Sequence, residues 1–124
     1  MTRPTRILTV DDSASMRALL LHALTGSGFD VAQAEDGMAA LEWLDGNEAD
    51  VVITDINMPR LDGFGLIERI REQGGSHAHR PILVLSTESS DEKKARARQA
   101  GATGWIVKPF DAEKLAAAVR RVAF

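Results

Sequence analysis

The sequence predicts an α/β fold: a doubly wound parallel sheet of five strands with five helices on its two faces. Three observations carry that prediction. Short apolar runs alternate with stretches of helical periodicity along the whole chain. Val51-Val52-Ile53-Thr54 and Ile82-Leu83-Val84-Leu85 are apolar without alternation, as strands buried on both faces must be. Polar residues follow the runs directly: Asp11-Asp12, Asp55, Ser86 and Lys108. Right-handed crossovers restrict the assembly, although periodicity leaves the strand order open.

Each element can be justified in turn. Ile7-Leu8-Thr9-Val10 reads as the first strand. A helix from Ser13 to about Thr25 follows, with Met16, Leu19, Leu20 and Ala23 as its expected core stripe, and Gly26-Ser27-Gly28 stops it. A short strand, roughly Asp30 to Ala34, leads to a helix from Asp36 that turns Ala40, Leu41 and Leu44 inward. Trp43 sits beside that stripe, a packed but partly exposed side chain. After the strand ending at Asp55, Gly63 to about Gln73 forms a helix with Leu66, Ile67 and Ile70 inside, closed by Gly74-Gly75-Ser76. The helix from about Ser90 to Ala100 offers only alanines to a core. Trp105-Ile106-Val107 is the last strand, and a helix from about Ala112 to Val122 buries Leu115, Ala118, Val119 and Val122.

Composition narrows the function. The 124 residues suit one domain, 1–124, of ordinary globular make-up at 44% hydrophobic and 27% charged. Fifteen Lys+Arg against 18 Asp+Glu give a net charge of −3, which is no footprint for nucleic acid. Zero cysteines exclude disulfides, Cys-ligated zinc and thiol nucleophiles. No apolar run approaches the roughly 20 residues that span a bilayer, and Met1 to Arg6 lacks the apolar core of a leader. A cytoplasmic monomer is the expectation.

In open α/β sheets, ligands bind beyond the carboxyl ends of the strands. There this chain collects three acids, a hydroxyl and an ammonium group. Three clustered carboxylates repel one another, and Lys108 offsets only one of them. One divalent cation would neutralise the remainder, and oxygen-only donors select Mg²⁺, with Mn²⁺ as a substitute. Cation, ammonium and hydroxyl together make a clamp for a phosphoryl group, with Asp55 placed as the nucleophile. The plainer alternative is that Asp12, Ser86 and Thr87 merely cap the helices that follow them.

The motifs Val10-Asp11-Asp12-Ser13, Asp55-Ile56-Asn57-Met58-Pro59 with Asp62-Gly63, Ser86-Thr87-Glu88 and Lys108-Pro109-Phe110 are individually weak but specific in this order. With them the chain resembles the receiver domain of two-component response regulators, most closely the single-domain chemotaxis regulators, over essentially its whole length. The resemblance implies a flavodoxin-like strand order 2-1-3-4-5. It implies that Asp55 takes a phosphoryl group from a CheA-like sensor histidine kinase. Asp12, Asp55 and the backbone carbonyl of Asn57 would ligate Mg²⁺, with Asp11 acting mainly through water. Lys108 would pair with phosphoryl oxygens, Ser86 would be the switch hydroxyl, and Trp105 the switch aromatic. Asn57 and Glu88 flank the site where the family tunes the lifetime of the phosphorylated state.

Phosphorylation would turn Asp55 into a dianion, draw in Ser86 and make room for Trp105. The surface of the fourth helix, fifth strand and fifth helix would then bind a downstream protein such as a flagellar motor switch. Lys93, Lys94, Arg96 and Arg98, joined by Arg120 and Arg121, offer that surface a basic character suited to an acidic partner. Such a chain would be a phosphoacceptor switch and no enzyme in the ordinary sense, catalysing only its own phosphoryl uptake and loss. The alternatives are a Mg²⁺-dependent aspartyl-phosphate phosphohydrolase and a receiver fragment of a longer regulator. Against the first, Asn57 stands where the best-known such family has a second acid. A flavodoxin-like cofactor binder fits less well, because Asp11-Asp12 would repel a phosphate after the first strand. His77 and His79 on a Gly-rich loop are too few donors for a metal site.

Overall fold

The computed structural model describes residues 3–75 and 78–123, so His77 of the His77-x-His79 pair lies outside the described residues. In chain order the elements are β1 (Arg6–Val10), α1 (Ala14–Gly26), β2 (Asp30–Ala34), α2 (Gly37–Gly46), β3 (Val51–Thr54), α3 (Gly63–Gln73), β4 (Ile82–Ser86), α4 (Asp91–Ala100), β5 (Gly104–Val107) and α5 (Ala112–Ala123). The strands form one sheet in the order β2-β1-β3-β4-β5, and every neighbouring pair is parallel.

Strand residues alternate between two cores because successive side chains point to opposite faces. Leu8, Val10, Val52, Ile82 and Val84 pack under α2, α3 and α4, against Leu44, Phe64, Leu66, Ile67 and Ile70. Ile7, Val51, Ile53, Leu83 and Leu85 pack under α1 and α5, against Leu20, Leu24, Leu115 and Val119. Each such side chain contributes about 1.5–3 kcal/mol on removal from water. Two expected stripes are shifted. Leu19 is 57% exposed, and α1 instead buries Leu20 and Leu24 with Met16 packed beside them. In α5 the fully buried residues are Leu115, Ala116 and Val119, while Ala118 and Val122 are only partly covered.

The caps separate structural acids from free ones. Ser13, Asp36, Asp62 and Ser90 cap α1, α2, α3 and α4, accepting from the amides of Met16, Ala39, Gly65 and Lys93. Asp12, Ser86 and Thr87 therefore cap none of these helices. Asp36 is buried and also accepts two hydrogen bonds from Arg60, at 2.8 and 2.9 Å. The Arg60 bonds, followed by the Ala39 amide, hold its carboxyl below the usual aspartate range. Half of Arg60 is exposed, so the cap carries most of the effect and Asp36→Ala should cost about 1–2 kcal/mol. A depressed folded pKa stabilises above the unfolded value and is lost as pH falls through the folded one. Urea midpoints of parent and variant should therefore converge below about pH 4.

Helix α4 is held differently, with Ala97 its single buried residue. Arg96 stacks on the Phe64 ring at 4.1 Å. Behind the helix, the Arg71 guanidinium donates to the carbonyls of Gly101 (3.0 and 2.8 Å), Ala78 (2.9 Å) and Arg80 (2.6 Å). Burial pulls its pKa below the ordinary arginine value. Gly101 ends α4 at φ 117°, where a Cβ would also strike Arg71 at 2.8 Å.

Candidate functional site

Strand register builds the site. Val10 pairs with Thr54, so the next residues, Asp11 and Asp55, emerge side by side. The Asp55 amide donates to the Val10 carbonyl at 3.0 Å, extending that ladder to the tip. Ser86 pairs with Val107, so Lys108 follows on the neighbouring strand, and its amide donates to the Ser86 carbonyl at 2.8 Å.

The three acids are not equivalent. Asp11 is buried, with one oxygen accepting from the Ser13 amide and the other from Lys108 Nζ, both at 2.9 Å. Asp55 accepts from the Ile56 amide at 2.6 Å and from Lys108 Nζ at 2.9 Å. Asp12 is exposed and caps nothing. One carboxylate oxygen from each of the three lies within 4.8 Å of the other two.

Lys108 bridges two of these acids with a side chain only 9% exposed. Burial alone would lower its pKa, but the hydrogen bonds it donates to Asp55 and Asp11, with their charges, outweigh burial and raise it. The ammonium is therefore fixed in its charged form. Three carboxylates against one ammonium leave two negative charges, and the donor set is entirely oxygen, which fits one small hard divalent cation. Asn57 follows on the exposed loop beside it, and the Lys108-Pro109 bond is cis.

A second set of contacts runs outward from Ser86, which is buried. Its Oγ accepts from the Glu88 amide at 3.3 Å. The Glu88 carbonyl accepts from Trp105 Nε1 at 2.9 Å, and the Glu88 carboxylate pairs with Lys93. The expected basic surface is less continuous than the sequence suggested. Lys93 is turned to Glu88 and Arg96 to Phe64, while Arg120 reaches Phe29 and the Ser27 carbonyl. Lys94 and Arg98 remain beside Trp105, lining a groove between α4 and β5 with Thr103.

One supporting residue, Arg17, escaped the sequence reading, and another, Gly63, entered it only as part of a motif and a helix start. Arg17 donates to the Asp11 carbonyl at 2.6 Å, fixing the loop that carries Asp11 and Asp12. Gly63 lets the start of α3 dock on the Asp55 tip, its amide donating to the Ile56 carbonyl at 2.8 Å.

A parallel 2-1-3-4-5 sheet with clustered acids and a lysine at its carboxyl edge defines a class of signalling domain. The chain belongs to the response regulator receiver domain family, whose model matches residues 7–120. It is 40% identical over 111 residues to the chemotaxis protein CheY-3 of Vibrio cholerae, covering 89% of this chain and 85% of that one. The structure of Vibrio cholerae CheY4 superposes with a TM-score of 0.91 at 42% identity, covering 97% of this chain and 99% of that one. The response regulator MprA of Mycobacterium sp. (strain KMS) is 38% identical over 117 residues, 94% of this chain and 50% of its own length. The chain thus spans about half the length of such curated relatives. Receiver domains are signalling switches of two-component systems. Among the described residues no helix is long and apolar enough to cross a membrane.

Proposed function

We propose that this chain is a phosphoryl-accepting switch of the chemotaxis type, with residues 1–124 acting as one receiver domain. The observation that carries the reading is the convergence of Asp11, Asp12 and Asp55 within 4.8 Å beside a buried, charged Lys108. A sensor histidine kinase is the phosphodonor. An Asp55 carboxylate oxygen attacks the phosphorus of a phosphohistidine; the new P–O bond forms as the P–N bond breaks, and the imidazole leaves with the electron pair. The Ile56 amide and Lys108 aim the carboxylate, and Lys108 then follows the charge onto the phosphoryl oxygens.

Asp12, Asp55 and the Asn57 carbonyl would hold Mg²⁺, with Asp11 behind them. When bound, the ion supplies the positive charge that gathers phosphoryl oxygens onto the acidic pocket. Phosphorylated Asp55 carries about two negative charges near neutral pH, which favours an added donor, and the buried Ser86 hydroxyl at the end of β4 is the candidate. Its movement shifts Trp105 and the α4-β5-α5 surface toward a form that binds a downstream partner, with Lys94 and Arg98 favouring an acidic one. Asn57 and Glu88 flank the phosphoryl group and set how fast water removes it.

The reading is tested by incubating the protein with acetyl phosphate and Mg²⁺ and weighing it intact. One phosphoryl adduct mapping to Asp55 is expected. No adduct, or an adduct elsewhere with Asp55 unmodified, would overturn it. In the same assay Lys108→Ala should slow uptake about 10²- to 10³-fold, the usual loss when one donor to developing charge is removed.

A further inference from the structure

Glu88 is engaged at all three of its polar groups, and each group faces a different element. Its amide donates to Ser86 Oγ at the end of β4. Its carbonyl accepts from the Trp105 indole on β5. Its carboxylate is paired through Oε1 with Lys93 in the first turn of α4. The other oxygen, Oε2, is buried and has no hydrogen-bond partner among the described residues. Lys93 is tied to the same short loop a second time, since its amide donates to the Ser90 cap at 3.3 Å.

We infer that Lys93 is a positioning residue, the latch that makes α4 and Trp105 respond to Ser86. The inference rests on the reading of Asp55 as the phosphoryl acceptor. When the Ser86 hydroxyl turns to a phosphoryl oxygen, its lone pair leaves the Glu88 amide. The Glu88 backbone is then free to move. Only because the carboxylate is clamped to Lys93 does Glu88 move as one unit with α4, its carbonyl carrying the indole along, rather than relax within the loop. Without Lys93 the half-buried carboxylate loses its charge partner and turns to water. Ser86 then moves without pulling on the helix. Lys93 thus belongs to the internal linkage rather than to the partner-facing surface.

The test uses the full chain with Trp43→Phe, which leaves Trp105 as the sole tryptophan. Beryllofluoride with Mg²⁺ mimics the phosphoryl group, and Trp105 fluorescence reports the linkage. Lys93→Ala should take up phosphoryl on Asp55 as the parent does, yet lose about threefold or more of the fluorescence change. Lys93→Arg should restore it. A fluorescence change as large in Lys93→Ala as in the parent would overturn the inference and leave the phosphoacceptor reading intact. A parent without an adduct would overturn both. A urea-unfolding cycle of Lys93→Ala with Glu88→Gln checks the pair directly, and additive effects would also sink the latch.

Discussion

Asp55→Asn is expected to take up no phosphoryl group at all from acetyl phosphate while remaining folded. Its carboxamide can still accept from the Ile56 amide, which now meets Asp55 at 2.6 Å, so the tip keeps its shape. What it lacks is the nucleophilic oxygen charge. The substitution also removes one of three clustered negative charges, leaving Lys108 facing Asp11 and the amide oxygen. Repulsion in the cation-free site falls, so the melting temperature without divalent ions should match or exceed that of the parent. Cation binding should suffer in the same variant. A unit charge at about 4 Å is worth at least about 1 kcal/mol, so Mg²⁺ affinity should fall about fivefold or more. Thermal shift with increasing Mg²⁺ checks this, and an unchanged Mg²⁺ response would exclude Asp55 from the cation site.

Gly63→Ala should be the most disruptive single methyl in the molecule's helices. An alanine in a helix ordinarily gains about 1 kcal/mol over glycine. Here the added Cβ would lie 2.3 Å from the Asp55 carbonyl oxygen and 2.8 Å from Ile56 Cα, both backbone atoms that cannot swing away. Either α3 retreats or the Asp55 tip does. Stability should drop by about 2–4 kcal/mol, and phosphoryl uptake should fall even in conditions where the variant is folded. At Gly46, the end of α2, an added methyl would meet no atom within 4 Å, so Gly46→Ala is the control and should be neutral or stabilising. Equal behaviour of the two variants would show that the α3 start does not brace the site.

The sequence exposes those parts of this molecule that depend on periodicity and on strand-end chemistry. Val51 to Thr54 could hardly be anything but a buried strand, and Asp55 had to emerge at its tip. Leu19 shows where that logic fails. Leu19-Leu20-Leu21 is apolar on every side, so spacing alone cannot choose which leucine faces the core, and it is Leu20 that joins the cluster with Ile7, Leu24 and Phe29. Caps were equally ambiguous, because Asp12 and Ser13 both have the chemistry and only backbone geometry selects Ser13. Arg17, Arg60 and Arg71 bind groups 6 to 30 residues away, mostly main-chain carbonyls that carry no residue identity to read. The basic residues of α4 looked like one face in the sequence, but Phe64 and Glu88 divert Arg96 and Lys93 from it.

The anchoring of α4 by Arg71 sets how that helix can travel. Its far end is tacked down by a guanidinium gripping the Gly101 carbonyl twice, with two more bonds into the loop before β4. Its near end is held by the Ser90 cap and one partly exposed ion pair. Unequal tethers of this kind turn a helix into a hinged flap: the distal turn serves as the pivot, and the proximal turn sweeps the widest arc.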